Sequence, residues 1–472
     1  MALMDSFRAD PLPDNWQVEA NHWQETYFPE MAEVLDVRKW KRFYPSLEPT
    51  KLTVITAKPE GFAQYAGNIV GADARTTDLS WRIWKAEEFQ DAEFMTALRI
   101  IRAQASTELG SIQQHRMVYE QLDHAQGGVD RDLIEGIHNT ARNGHTLESI
   151  SFSKKRVCVE ELRHHYQMSG VLTLDPTWDD KRRYGRRMGT ETMEELFAMK
   201  PGEHVLDAFN IEFKSIMDSA VFMAFIDRVG KYQLEMQHHF YYAPMALSMP
   251  YMRFLEESYH LAAGEKLMEA IAIASALGGS NTGVAELQRT LNMWFPRGLE
   301  MFGSELGGKQ VKGLFKTLDN DQAQSLYIQE VAGKVRNTNL AVIQAKAKCS
   351  REEAERLLNR IQAKGETVRG LTAKDLLYLP DRRWFRIRGL REYGDFALPG
   401  SNFNGVGYVY LPYDVRGNLL AEGGRPLERE DFIAYLKTVL PARYMNSRHF
   451  DFVKREFLFN DSWGSPERVS GS

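Results

Sequence analysis

Apolar residues recur at helical spacing through the middle of the chain. Over 86–125, which holds no Pro and one Gly, Phe94, Leu98, Ile101, Ala105, Leu109 and Ile112 fall on one face and predict a first long helix. A second is predicted over 155–172 by Val157, Val159, Leu162 and Met168. A third is predicted over 205–234, with Phe213, Ile216, Met217, Ala220, Met223, Ala224 and Phe225. A fourth runs over 249–277, with Met252, Leu255, Leu261, Leu267, Ile271 and Ala274 inward, and Gly278-Gly279 stopping it. Residues 287–335 add further helical segments. The breaks fall at Gly127-Gly128, Asp175-Pro176, Pro201-Gly202 and Pro244. Four long helices separated in this way predict an all-α chain built on a four-helix bundle with extra helices.

The two ends read differently. Pro11, Pro13, Pro29, Pro45, Pro49 and Pro59 break any long helix at the start, so 1–85 is expected to be an irregular wrap with one short strand over 51–57. The bundle is assigned to 86–335. Charge density rises beyond it. Residues 345–364 read as a solvated helix, 379–385 and 405–412 as loop and short strand, and 414–417 as a turn, which makes 336–472 an α+β extension packing on the bundle.

Composition narrows the function classes. The 472 residues are 43% hydrophobic and 11% aromatic, which argues against a disordered chain. A net charge of −5 argues against nucleic acid as the main partner. Cys158 and Cys349 are the only cysteines, so neither a disulfide scaffold nor an iron–sulfur cluster is expected in this chain. The start of the chain lacks a signal-peptide pattern, and the most apolar stretch, 267–277, is too short to span a bilayer. A cytoplasmic protein without a membrane partner is the expectation. Nothing matches Gly-x-Gly-x-x-Gly between strand and helix, so no flavin or nicotinamide site is expected.

The chemistry is carried by two Glu-x-x-His steps on predicted helices, Glu161/His164 on the second and Glu257/His260 on the fourth. Positions i and i+3 share a helix face, so each step offers a carboxylate and an imidazole to one point. Two such steps, with one carboxylate from each remaining helix, make the ligand set of a bundle di-metal site. On the first helix the lone carboxylate is Glu108 or Glu120. Glu108 is preferred, because it lies mid-helix on the apolar stripe. On the third it is Glu212, Asp218 or Asp227. Asp227 is preferred, because it adjoins apolar sequence and precedes Glu257 by 30 residues (257 − 227), as two antiparallel helices joined by a turn require. Three other copies of the spacing, Glu19/His22, Glu135/His138 and Glu235/His238, read as surface or structural, as do Glu160, Glu256, His165 and His239.

Several segments resemble the oxygenase component of aerobic benzoyl-CoA epoxidase, in the ferritin-like di-iron carboxylate family. They are Val157-Cys-Val-Glu-Glu-Leu-Arg-His164, Phe225-Ile-Asp-Arg-Val-Gly-Lys-Tyr-Gln-Leu234 and Phe254-Leu-Glu-Glu-Ser-Tyr-His-Leu-Ala-Ala-Gly-Glu265. Residues 287–295, 301–305, 379–385 and 414–420 continue the likeness; a segment near 127–149 departs from it as an insertion. In that family the first ligand follows a Thr, which matches Thr107-Glu108, and an Asp-Arg-x-Gly segment matches Asp227. The resemblance implies a ferritin-like bundle. It implies metal ligands Glu108, Glu161, His164, Asp227, Glu257 and His260, which are also the catalytic set. It implies two Fe as cofactor, O2 as co-substrate and a separate flavin/iron–sulfur reductase as electron donor.

The implied reaction is epoxidation of an aromatic CoA thioester, one oxygen atom entering the substrate and the other leaving as water. The alternative is a di-iron oxygenase or oxidase acting on a non-CoA substrate; an iron-storing bundle fits poorly with so long a chain. Lys181–Arg187 and Arg382–Arg388 could hold CoA phosphates or dock a reductase, although a solvated basic loop is the plainer reading. Arg163 is expected to support a ligand carboxylate. Gly264, Glu265, Trp294 and Phe295 are expected along the approach to the metals, and Tyr119 and Tyr259 as packed aromatics.

Overall fold

The computed structural model describes residues 7–10, 54–64, 69–123, 147–199, 204, 206–210, 213, 216–255, 260–278, 282–303, 305–379, 450–451 and 456–457. Helices dominate them. Strands β1 (Phe7–Asp10) and β2 (Val54–Ala57) pair antiparallel, Phe7 opposite Ala57, and β2 falls inside the strand predicted over 51–57. A second short antiparallel pair, β3 (Phe450–Asp451) and β4 (Glu456–Phe457), lies near the end of the chain.

Helix α1 (Asp91–Asp123) is the first predicted helix, and α2 (Leu147–Thr173) packs against it along much of its length. The apolar stripe of α1 behaves as its spacing demands: Phe94, Leu98, Ile101, Ala105, Leu109 and Ile112 are all buried. After α3 (Met188–Phe197) the predicted third helix is not one helix. A 3-10 turn occupies Asp207–Asn210, α4 covers Ile216–Val221, a π turn covers Phe222–Ile226, and α5 covers Asp227–Gln237. The run over 216–237 has no Pro, and its single Gly lies beyond the π turn, so nothing in composition marks the change. A π turn inserts about one residue into the helical ladder and rotates the residues downstream of it by about 100°.

The predicted fourth helix divides as well. Helix α6 (Ala243–Leu255) begins with Pro244 in its first turn, where a missing N–H costs nothing. Residues 260–261 form a second π turn, leading into α7 (Ala262–Leu277). Then come α8 (Thr282–Met301), α9 (Glu305–Val311), α10 (Asn320–Ala347) and α11 (Arg351–Lys364). Helix α10 starts in a capping box of Asp319 and Gln322 and runs unbroken through position 336, where the sequence pattern suggests a boundary. Helix α11 lies inside the helix expected over 345–364. Ser350 caps it, Gly365 closes it with φ +65°, and it buries Ala354, Leu357, Leu358 and Ile361 rather than standing free in solvent.

The apolar interior forms two clusters. One runs from Ala208 to Leu379 and includes Phe222, Ile226, Trp294 and Tyr327; the other runs from Val54 to Phe315 and includes Leu109, Ile112, Leu162 and Trp178. Among the described residues no helix is long and apolar enough to cross a membrane. Neither Cys158 nor Cys349 is in a disulfide, and the Cys158 thiol lies 3.7 Å from the Ile112 carbonyl.

Two other histidines are structural. His238 is fully buried and stacks on Phe62; His239 lies 3.1 Å from Thr76 Oγ1 and packs on Trp81. Glu235, from the third spare Glu-x-x-His copy, accepts from Arg253 at 2.9 Å. Burial, reinforced by Arg253 and Arg82, holds His238 well below the usual imidazole range, so it stays neutral in the fold while the unfolded chain protonates near its ordinary value. The unfolded state then binds more protons below about pH 6.5, and stability falls as pH drops through that point. Urea unfolding of His238→Gln should therefore lose less stability between pH 7.5 and pH 5 than wild type does, by up to about 2 kcal/mol, because pH 5 lies about 1.5 units below the ordinary imidazole value. Parallel pH profiles would contradict this.

Candidate metal centre

Buried polar groups from four helical segments converge at one place. Helix α1 brings Glu108, α2 brings Glu161 and His164, the start of α5 brings Asp227, and the π turn before α7 brings His260. All five are buried, His164 and His260 completely. His164 Nδ1 lies 3.5 Å from Glu108 Oε2 and 3.8 Å from Glu161 Oε2. His260 Nδ1 lies 3.5 Å from Glu161 Oε1 and 3.8 Å from Asp227 Oδ2. The two imidazole rings are 6.1 Å apart, on either side of the Glu161 carboxylate.

Potential ligand atoms fall into two sets within 4.8 Å of one another: Glu108, Glu161 and His164, and His115, Glu161 and Asp227. Glu161 belongs to both. Its two oxygens face different partners, Oε2 towards His164 and Oε1 towards His260.

Neighbours hold these groups in place. Gln104 Nε2 donates to Glu108 Oε1 at 2.7 Å, and Ser111 Oγ donates to Glu161 Oε1 at 2.9 Å. Burial by itself would push the Glu108 carboxyl up. The neighbouring His164 and Glu161 side chains, with the hydrogen bond from Gln104, outweigh it and hold Glu108 well below its usual range. Asp227 is fixed through the next residue. Arg228 is buried, donates from Nε to the Ala224 carbonyl at 3.0 Å, and pairs with Glu265 and Glu330. Lys334 joins Glu265 at 2.9 Å, and Tyr232 donates to Glu330 at 2.8 Å, so α5, α7 and α10 are tied together directly beside the ligand.

A cavity of about 30 Å³ adjoins the carboxylates. Glu108, Glu161, Asp227, Gln104, Thr107 and Ser111 form its polar wall, and Phe209, Ile226, Leu234 and Met301 are apolar. It has room for a water or a diatomic gas.

The sequence expectations divide accordingly. Glu108, Glu161, His164, Asp227 and His260 come together; Glu257 lies outside the described residues, as do the side chain of Glu120, Glu212, Glu256, Tyr259, the side chain of Tyr119, Glu19/His22 and Glu135/His138. Asp218 is occupied elsewhere, accepting from Trp294 Nε1 at 2.9 Å. Glu160 is buried and paired with Arg163 at 3.0 Å. His165 is structural, 2.9 Å from the Ala105 carbonyl.

Glu265 belongs to the Arg228 network, Trp294 holds Asp218, and neither they nor Gly264 and Phe295 line the cavity. In the first basic segment Arg182 pairs with Asp180, Arg183 with Asp91, and Arg186 with Glu191 and Glu195, which leaves little of it for phosphates; the second lies outside the described residues. Sequence reasoning missed His115. It follows Glu108 by seven residues, two turns, and so returns to within about 20° of the same face.

No protein-family model matches the chain, and no curated protein matches it.

Proposed function

We propose that this chain is a ferritin-like di-iron oxygenase that inserts one atom of O2 into a CoA-linked aromatic acyl substrate, with electrons from a separate flavin/iron–sulfur reductase. The observation that carries the metal reading is the position of Glu161, shared between two ligand sets, with an imidazole on each side. A donor set of carboxylates with a minority of imidazoles suits iron and leaves coordination positions for a co-substrate.

Glu108 and His164 would hold one iron, Asp227, His260 and Glu257 the other, and Glu161 both. When bound, such a pair supplies electrons to O2 and delivers an oxygen atom to the substrate. The residues here do the rest. Gln104 and Ser111 orient the carboxylates, the Arg228 network holds Asp227, and Phe209, Ile226, Leu234 and Met301 give the cavity an apolar side. The absence of a dinucleotide fingerprint supports an external electron donor.

The substrate class rests on the family resemblance alone. The size of the cavity and the self-paired arginines of 181–187 favour the second reading, a di-iron oxygenase or oxidase acting on a small non-CoA substrate; an aryl-CoA needs the cavity to widen. The experiment is single turnover. Protein loaded with ferrous iron and chemically reduced is exposed to ¹⁸O2 with benzoyl-CoA, other aryl-CoA thioesters, or free small acids and amines. The proposal expects one labelled oxygen in an aryl-CoA product. Label only in a free acid or amine moves the assignment to the second reading. Oxygen consumption with no labelled product makes the protein an oxidase.

A further inference from the structure

We propose that His115 is a seventh protein ligand, binding the iron on the Asp227 side and making the two metal positions chemically unequal. The inference rests on the di-iron reading and adds to it a residue outside the paired Glu-x-x-His pattern. A ligand atom of His115 lies within 4.8 Å of those of both Glu161 and Asp227. The ring is completely buried and held on several sides. Its Nδ1 is 3.1 Å from Ser219 Oγ on α4, and Phe213 and Phe222 meet its plane edge-on, with centroids at 5.3 and 5.5 Å.

A metal-bound histidine commonly engages a hydrogen-bond partner through its other ring nitrogen, which sets both tautomer and orientation. With Nδ1 held by Ser219, Nε2 is the atom assigned to the metal. With Glu257 as the fourth, the proposed carboxylates would match the charge of two ferrous ions, so a neutral imidazole would add a donor without adding charge. His115 is also absent from the cavity wall, which Glu108, Glu161 and Asp227 share. His115 would hold the metal without occupying the cavity that the three carboxylates share.

The test uses the full-length protein loaded with ferrous iron alone and counts bound imidazoles. After air oxidation of the loaded iron to the diferric state and brief cryoreduction by one electron to the mixed-valent state, nitrogen ENDOR on protein carrying ¹⁵N-histidine should show three coordinated imidazole nitrogens in wild type and two in His115→Ala. Ser219→Ala, which leaves the ring in place, should weaken binding of one iron by about 10–100-fold. Two imidazoles in wild type overturn the proposal even where two irons bind. Iron affinity unchanged in Ser219→Ala overturns the orientation assigned through Nδ1. Absence of stoichiometric iron from wild type overturns the di-iron reading itself, and the wild-type count needs no variant to fold.

Discussion

Glu161→Ala should empty both metal positions at once, lowering bound iron from about two per chain to near zero. Each oxygen of Glu161 faces a different histidine, 3.8 Å from His164 Nδ1 and 3.5 Å from His260 Nδ1, so both ions lose a ligand and the bridge between them disappears. His164→Ala should lower iron less, because His164 stands with Glu108 and Glu161 in one ligand set and the Asp227 side keeps its donors. Metal that binds the folded state alone stabilises it by about 2.7 kcal/mol at a hundredfold excess over Kd. Added ferrous iron should therefore raise the melting temperature of wild type and leave that of Glu161→Ala unmoved. Glu160→Gln is the control, because the neighbouring carboxylate braces Arg163 at 3.0 Å and takes no part in the ligand sets. It should cost stability yet retain iron. Iron lost equally from Glu160→Gln and Glu161→Ala would contradict the assignment.

Gly264→Val should be the most damaging change away from the ligands. A Cβ at Gly264 would stand 2.4 Å from the Ala224 backbone nitrogen and 2.7 Å from Met223 Cβ, both on the first π turn. Backbone at that distance has no way to swing aside, so α7 must retreat from the π turn. His260 sits four residues earlier and would be carried away from Asp227, now 3.8 Å distant. Overpacking of this kind costs about 3 kcal/mol, sometimes more. Even Gly264→Ala, which gains about 1 kcal/mol of helix propensity at an exposed position, should be destabilising here. Thermal melts with iron titrations measure both effects. A Gly264→Ala protein more stable than wild type would show that the close approach does not exist.

Each residue of the site leaves a different kind of signal in the sequence, and some leave none. The stripe from Phe94 to Ile112 is visible because burial of a straight helix face imposes a regular period, and the structure buries every member. The Glu161/His164 step is visible for the same reason. Asp227 is legible only as a carboxylate beside apolar sequence, because the π turn before it shifts the register that a straight helix would predict. The polar face of α1 was legible but unread: Gln104, Glu108, Ser111 and His115 are spaced by four, three and four, and all are buried. Buried polar residues in that rhythm mark a helix face turned towards a polar site in the core. The Glu160–Arg163 pair has no such mark, since an i,i+3 ion pair has the same spacing whether it faces solvent or the interior. The tie from Arg228 to Glu330 joins residues 102 positions apart and exists only once α10 has packed on α5.

The central claim is two irons sharing Glu161, and its most direct measurement is an anomalous difference map from crystals of the iron-loaded protein, with data on both sides of the iron absorption edge. The account predicts two peaks about 3.5–4 Å apart, one beside Glu108 and His164 and the other beside Asp227 and His260, with the Glu161 carboxylate between them. A single peak, or iron bound away from Glu161, would contradict it.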